Sequence, residues 1–157
     1  MQEGFSPFSH PIIFDNDNAL LTASEKLNSE MQGRRSVRKF SDKPIPKEVI
    51  DNLLRIAASA PSGAHKQPWI FCVIAKEDLK ARIREAAEKE EYTNYHGRMS
   101  EEWLEDLKKF GTDWHKEFLT TAPYLIVVFK KSYDLESDGG KAKNYYVSES
   151  VGIACGF

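Results

Sequence analysis

The sequence predicts an α+β fold in which a central sheet is flanked by helices. Two short runs, Trp69–Ala75 and Tyr124–Phe129, are rich in β-branched and aromatic residues and have the length of buried strands. Most of the remaining chain spaces its apolar residues by three and four, as amphipathic helices do. With 157 residues, of which 41% are hydrophobic and 29% charged, the chain has the size and balance of one globular domain.

Apolar residues at helical spacing define five predicted helices. The first runs from Asn18 to Met31 and ends at Gly33. The second begins after Pro46, because proline fits the first turn of a helix, and carries one apolar stripe. The other three are predicted at Asp78–Glu91, at Glu101–Phe118, and from about Tyr145 onwards.

Segments without a period are predicted to be irregular. They are an arm over residues 1–15, the loop Ala60–Pro68, and the polar loop Ser132–Lys143. The last helix reaches Phe157 without a cap, and two strands are too few for an independently stable sheet. We therefore expect the fold to be incomplete at the C-terminus, with later strands missing or supplied by a second polypeptide. The alternative is a small two-stranded α+β domain with a frayed terminal helix.

Charge and cysteine content exclude several classes of protein. The 22 basic and 24 acidic side chains are interleaved and give a net charge of −2, so no nucleic-acid partner is expected. The apolar runs are shorter than the roughly 20 residues of a membrane span, and Met1–His10 lacks the features of a signal peptide. We expect a cytoplasmic protein without a membrane partner. Cys72 and Cys155 are expected to be buried reduced thiols, and no metal site is expected.

A basic cluster formed by Arg34, Arg35 and Arg38 surrounds Ser36. Guanidinium groups bind phosphate through paired charge-assisted hydrogen bonds, and a serine hydroxyl adds a donor. The cluster therefore suits a phosphate-bearing ligand. The alternative is a surface cluster that only solubilises a loop.

The loop Pro61–Trp69 is a second candidate. Gly63 allows the backbone to approach a ligand closely, small neighbouring residues leave room for a flat ring, and Gln67 offers hydrogen bonds to a heterocycle. The alternative is a plain connection between a helix and a strand.

Four motifs in this order resemble the nitroreductase superfamily. They are Arg34-Arg35-Ser36-Val37-Arg38, Ala60–Trp69, Thr121-Ala122-Pro123 and Ser150–Gly156. The Ser-Gly-Ala-His core of the second motif is similar to that of the iodotyrosine deiodinase family. The resemblance implies a nitroreductase-like α+β homodimer with FMN bound at the subunit interface. Residues 1–33 would then be an N-terminal arm and helix, and residues 34–157 the N-terminal portion of the FMN-binding domain.

The resemblance also implies roles for individual residues. The FMN phosphate and ribityl chain would be held by Arg34, Arg35, Ser36, Val37 and Arg38. Pro61, Ser62 and Gly63 would line the isoalloxazine ring. The backbone N–H of Ala64 would meet the phenolate oxygen of the substrate, which favours the ionised phenol.

Glu91, Tyr95 and Lys116 match the residues with which these deiodinases close a lid over the substrate. An amino acid is a zwitterion, so it needs an anion for its ammonium group, a cation for its carboxylate and a hydroxyl to complete the shell. Glu91 and Tyr95, at positions i and i+4, would share one face of a helix. The alternative is that Glu91 and Lys116 belong to ordinary solvated charged faces.

The function that the resemblance implies is reductive dehalogenation of halogenated tyrosines by bound FMN, with a nicotinamide-derived electron donor. Because the cofactor carries the redox step, no catalytic side chain is assigned. The alternatives are a generic NAD(P)H-dependent nitroreductase and a non-catalytic flavin-binding fragment. In the family, a later segment supplies a hydroxyl donor near the flavin and a further arginine. Because this sequence contains neither, we expect weak FMN binding.

Overall fold

The computed structural model describes residues 14–157. Most of the predicted N-terminal arm therefore lies outside the described residues. The chain divides into two compact units, of which the first ends at Val37 and the second comprises Arg38–Phe157. In the first unit, helix α1 spans Asp17–Gln32, which confirms the predicted helix. The side chain of Asn16 begins it by accepting a hydrogen bond of 3.0 Å from the backbone N–H of Ala19.

The second unit is a mixture of helices and short strands, which confirms the α+β class. Its elements are α2 (Lys47–Ala58), β1 (Trp69–Ile74), α3 (Glu77–Thr93), α4 (Glu101–Lys108), α5 (Phe118–Thr121), β2 (Leu125–Lys130), β3 (Tyr133–Leu135), β4 (Lys141–Lys143) and α6 (Val147–Gly156).

Strands β1 and β2 form an antiparallel pair, with Trp69 opposite Lys130 and Ile74 opposite Leu125. Helix α6 packs against β2, and α2 packs against α6. The two long strands and the helices beside them are therefore predicted correctly. Within residues 14–157, no helix is both long and apolar enough to cross a membrane.

The core lies on one face of this strand pair. Buried side chains from β1, α6 and the end of α2 meet there, and partly buried residues of both strands pack against them: Ala60, Trp69, Val151 and Ala154, with Phe71 and Val128. On the other face, the cross-strand pair Ile70 and Phe129 is 48% and 52% exposed. The expectation that both strands are buried is therefore wrong for this face. Cys155 is also exposed, contrary to prediction, while Cys72 is partly buried.

The predicted helix Glu101–Phe118 is wrong beyond its middle. Helix α4 ends at Lys108, and Gly111 has a φ of 60°, a left-handed conformation that the helix cannot continue through. The side chain of Asp113 then accepts a hydrogen bond of 2.8 Å from the backbone N–H of His115, which forms a local turn. The chain becomes helical again only at Phe118.

A two-stranded hairpin occupies part of the segment predicted as a polar loop. Strands β3 and β4 pair in antiparallel register, with Tyr133 opposite Lys143 and Leu135 opposite Lys141. The turn between them is closed by a hydrogen bond of 2.9 Å from the N–H of Glu136 to the carbonyl oxygen of Gly140. This hairpin corrects the prediction for Ser132–Lys143.

Candidate functional site

The end of helix α3 presents two of the predicted substrate-binding residues. Glu91 lies in the last turn of α3, and Tyr95 lies in the π-helical turn Asn94–Arg98 that follows directly. Such turns are rare and are frequent at functional sites. Glu91 and Tyr95 are both partly buried.

Lys116 reaches these two residues from the segment between α4 and α5. Its Nζ lies 3.0 Å from Oε2 of Glu91 and 5.9 Å from the centre of the Tyr95 ring. The side chains of Lys116 and Glu91 are only 20% and 30% exposed, so this ion pair is partly shielded from water. The structure thus brings together the three residues predicted to bind the substrate.

Two further polar groups contact this trio. The Tyr95 hydroxyl donates to Oγ1 of Thr112 at 3.4 Å, and Nζ of Lys116 donates to the carbonyl oxygen of Asp113 at 2.7 Å. The sequence reasoning missed both partners. They follow Gly111, so the turn-forming composition Gly-Thr-Asp was the signal that could have found them.

Two carboxylates near Lys116 are held in the ionised form. Two hydrogen bonds, the larger effect from the backbone N–H of Lys116 and the second from the Arg84 side chain, lower the pKa of Glu88 below its usual value. The backbone N–H of His115 lowers the pKa of Asp113 in the same way. Both carboxylates are therefore negatively charged at neutral pH.

An open cavity of about 910 Å³ adjoins this site. Arg38, predicted to bind the FMN phosphate, and Lys116, predicted to bind the substrate, both line it. Its walls combine basic, acidic and aromatic side chains, among them Lys39, Phe40 and Asp113. The cavity thus offers a ligand both charged groups and an aromatic surface.

The loop Pro61–Ala64 does not line that cavity and packs instead against the start of α6. The backbone N–H of Gly63 points to Oγ of Ser150 at 3.4 Å, and Oγ of Ser62 accepts a hydrogen bond of 2.9 Å from the N–H of Gln67. A Cβ on Gly63 would lie 3.1 Å from the carbonyl oxygen of Tyr145. Glycine is therefore required at position 63 because the backbone of Tyr145, and not a ligand, lies close to it.

Ala64 and His65 have left-handed backbone conformations, with φ values of 49° and 53°. Residues with a Cβ rarely adopt this conformation, and when they do the strain often marks a functional site. Among residues 14–157, no group accepts a hydrogen bond from the backbone N–H of Ala64. Because Ala64 is also exposed, this N–H is available to a ligand.

Residues 34–37 end the first unit, and their side chains are exposed. Nη1 of Arg35 donates to the carbonyl oxygens of Gln32 at 2.8 Å and of Arg34 at 2.7 Å. Over residues 14–157, neither Arg34 nor Arg38 uses its guanidinium group in a hydrogen bond or ion pair. Both groups are therefore available to a phosphate.

Comparisons of the sequence identify a family and close relatives. The model of the nitroreductase family matches residues 31–156. The iodotyrosine deiodinase of Haliscomenobacter hydrossis is 62% identical over 138 residues, which cover 88% of this chain and 62% of that protein. The iodotyrosine deiodinase of Hydra vulgaris is 47% identical over 156 residues, which cover 99% of this chain and 57% of that protein. The chain thus spans less than two thirds of the length of either relative.

A crystal structure of oxidized iodotyrosine deiodinase bound to FMN and 3-iodo-L-tyrosine has a similar fold. Its TM-score to this chain is 0.72 at 35% sequence identity. The match covers 83% of this chain and 65% of that one.

Proposed function

Because this chain belongs to the nitroreductase family and has a nitroreductase-like fold, we propose that it is an FMN-dependent oxidoreductase that reductively removes halogen from halogenated tyrosines. The observation that carries the proposal is the cluster of Glu91, Tyr95 and Lys116, which places a carboxylate, a phenol hydroxyl and an ammonium group together. This set complements the two charges of an amino acid.

The residues assigned to FMN fit the chemistry of that group. Within residues 14–157 the guanidinium groups of Arg34 and Arg38 make no hydrogen bond or ion pair, and Ser36 offers a hydroxyl donor, so each of these groups suits a phosphate. The Ser62-Gly63 stretch packs tightly on α6, so this edge of the loop is held in one position before a flat ring lies against it. When bound, FMN would supply the electrons for dehalogenation.

The substrate would be oriented at both ends by groups of this chain. Glu91 would bind the substrate ammonium, and Lys116 with Tyr95 would bind its carboxylate. At the other end, the free N–H of Ala64 would donate to the phenolate oxygen and favour the ionised phenol. The reaction breaks the carbon–halogen bond, forms a carbon–hydrogen bond, and consumes two electrons and one proton as halide leaves. A nicotinamide-derived donor would replenish the electrons.

We also propose that the protein works as a homodimer. Half-exposed apolar side chains on one face of α2 support this, because a second copy could cover them: Val49, Leu53 and Ile56 are 44–49% exposed. In addition, the loop Pro61–Ala64 does not line the cavity at Lys116, and in a homodimer the loop of one protomer could meet the cavity of its partner. Light scattering of the FMN-loaded protein tests this, because a monomer that binds both FMN and substrate would contradict it.

The decisive experiment is a binding titration. The purified protein is incubated with FMN and desalted, and iodotyrosine is added while flavin fluorescence is followed. We expect part of the flavin to be retained, in keeping with weak FMN binding. The fluorescence of the retained flavin should be quenched by iodotyrosine and not by phenol, and iodide should be released once a reductant is supplied.

Two results would contradict this function. Loss of all flavin on desalting would show that this length of chain does not hold the cofactor by itself. The protein would be a generic nitroreductase if its retained flavin, once reduced, is reoxidised by nitroaromatic compounds and its fluorescence does not respond to iodotyrosine.

A further inference from the structure

One face of helix α3 carries three polar side chains spaced four residues apart, and all three contact the segment that contains Lys116 and α5. Nζ of Lys80 is buried and donates to the carbonyl oxygens of Thr120 at 3.2 Å and Ala122 at 2.8 Å. Nη1 of Arg84 donates to Oγ1 of Thr120 at 3.1 Å. The third side chain, Glu88, contacts Lys116 itself.

Glu88 binds the backbone of Lys116 and not its side chain. Oε1 of Glu88 accepts a hydrogen bond of 2.8 Å from the Lys116 N–H and a second of 2.7 Å from Nε of Arg84. The Glu88 and Arg84 side chains are 18% and 29% exposed, so this contact is partly shielded from water. Because Arg84 neutralises Glu88, the Lys116 ammonium group is left to pair with Glu91.

Two carboxylates three residues apart on α3 therefore act on one lysine in different ways. We propose that Glu88, oriented by Arg84, is a positioning residue that fixes the Lys116 backbone and so aims the Lys116 ammonium group at the carboxylate of the substrate. This inference rests on the proposed function, which assigns that carboxylate to Lys116. Glu88 itself touches neither substrate nor cofactor in this arrangement.

The geometry explains why such an anchor is needed. Lys116 lies in the irregular segment that leads into α5, where its carbonyl oxygen accepts a hydrogen bond of 3.0 Å from the Leu119 N–H but no helical hydrogen bond holds its own N–H. Its side chain has four rotatable bonds, so the ammonium group reaches one place reliably only if the backbone is held. A carboxylate that accepts both a backbone N–H and a guanidinium N–H provides a strong, charge-assisted restraint.

The test compares Glu88→Ala and Glu88→Gln with Glu85→Gln, which changes an exposed glutamate on the same helix. In the 157-residue chain without ligand, hydrogen exchange at the Lys116 amide reports the restraint directly. We expect exchange about tenfold faster in Glu88→Ala, because a charged acceptor is lost. Glu88→Gln should restore most of the protection, because its amide oxygen can still accept, and Glu85→Gln should match the unsubstituted protein.

The second measurement is iodotyrosine affinity of the FMN-loaded protein by flavin fluorescence. We expect the Kd to rise about tenfold in Glu88→Ala. FMN retention and the affinity for ortho-iodophenol, which has no carboxylate, should stay unchanged. A destabilised protein would lose FMN retention and the affinity for both ligands. A loss of iodotyrosine affinity alone therefore indicates a positioning role and not a loss of stability. Arg84→Gln should raise the exchange rate of the Lys116 amide and the Kd for iodotyrosine by about threefold each. This variant tests the inference if Glu88→Ala does not fold.

Unchanged Lys116 exchange in Glu88→Ala would overturn the inference, and so would an unchanged iodotyrosine Kd when the unsubstituted protein binds iodotyrosine. If the unsubstituted protein ignores iodotyrosine, the proposed function fails. Faster exchange at the Lys116 amide would then still support the backbone restraint, and unchanged exchange would reject it.

Discussion

Replacing Lys116 by methionine tests the proposed site most directly. Methionine keeps much of the length of the side chain and removes its charge and its hydrogen-bond donors. In the structure, Nζ of Lys116 contacts Oε2 of Glu91 at 3.0 Å and the carbonyl oxygen of Asp113 at 2.7 Å. The substitution therefore removes the cation proposed for the substrate carboxylate and leaves the Glu91 carboxylate without its partner.

The expected size of the effect follows from these contacts. A hydrogen bond to a charged group contributes about 1.5–3 kcal/mol. Binding of the substrate also disturbs the existing pair with Glu91, which at 20% and 30% exposure is a partly shielded pair worth roughly 1 kcal/mol. The net loss of binding energy is about 1.4 kcal/mol, which corresponds to about a tenfold increase in Kd.

The assay is a flavin-fluorescence titration of the FMN-loaded variant with iodotyrosine and, separately, with ortho-iodophenol. Only the iodotyrosine Kd should rise, because ortho-iodophenol offers no carboxylate. Lys109→Met is the matched control, since Lys109 is 68% exposed and pairs with Asp106 away from Glu91. It should bind both ligands as the unsubstituted protein does.

Equal iodotyrosine affinities in Lys116→Met and Lys109→Met would refute the reasoning. So would a loss of affinity for both ligands alike, because that pattern would indicate that Lys116 supports the structure and not the recognition of an amino acid.

Three further predictions concern stability. Gly63→Ala should lower the free energy of unfolding by about 1–3 kcal/mol, because the added Cβ would lie 3.1 Å from the carbonyl oxygen of Tyr145. Thermal melting should show this loss, while Gly97→Ala, where a Cβ meets nothing within 4 Å, should show none. Lys80→Met should cost about 1–3 kcal/mol in urea unfolding, because two backbone carbonyls lose their donor. The pKa of Glu88 is lower in the folded state, so its carboxylate stabilises the fold above the usual value of 4.5, and this stabilisation is lost as the pH falls through the lowered pKa. Glu88→Gln should therefore flatten the acid side of the stability–pH curve, and an unchanged curve would contradict this.

Periodicity was sufficient to predict the helices α1, α2, α3 and α6 and the two long strands. In α2 the apolar residues lie on one stripe, and only Ile50 of that helix is fully buried. Strand β1 was recognisable from its β-branched and aromatic residues, although the exposure of Ile70 could not be predicted. Composition indicates that a strand is apolar, whereas the faces that are covered depend on which elements pack beside it.

Two segments differ from their prediction because the spacing of their apolar residues was misleading or uninformative. Trp103, Leu107, Phe110 and Trp114 continue a helical period, but α4 ends at Lys108, after the first two of them, and Gly111 then has a left-handed conformation. Phe110 is 73% exposed, so this period does not describe a buried face. Likewise, the turn residues Asp138-Gly139 indicate a hairpin, but strands β3 and β4 are too short and too polar to show alternation.

The candidate site was only partly accessible from the sequence. The four-residue spacing of Glu91 and Tyr95 is enough to predict a shared face, and α3 with its π-helical turn places them so. The position of Lys116 beside them depends on the turns after α4, and these turns could not be predicted from the spacing of residues in the sequence. The left-handed conformations at Ala64 and His65 were equally unpredictable, because the hydrogen bonds of Ser62 and Ser150 that hold the loop come from residues on either side of it.

The ion pair between Glu91 and Lys116 has a consequence for which ligands the site accepts. A zwitterionic amino acid provides a new partner for each member of the pair, so both charges remain compensated when the ligand binds. An amine such as iodotyramine compensates only Glu91 and leaves the Lys116 charge, which is 20% exposed, without an equivalent partner. We therefore expect iodotyramine to bind at least about tenfold more weakly than iodotyrosine in a flavin-fluorescence titration. In Lys116→Met the preference for iodotyrosine over iodotyramine should largely disappear, because the variant has no cation at this position that would lose its partner. A preference that persists unchanged would show that other residues discriminate between the two ligands.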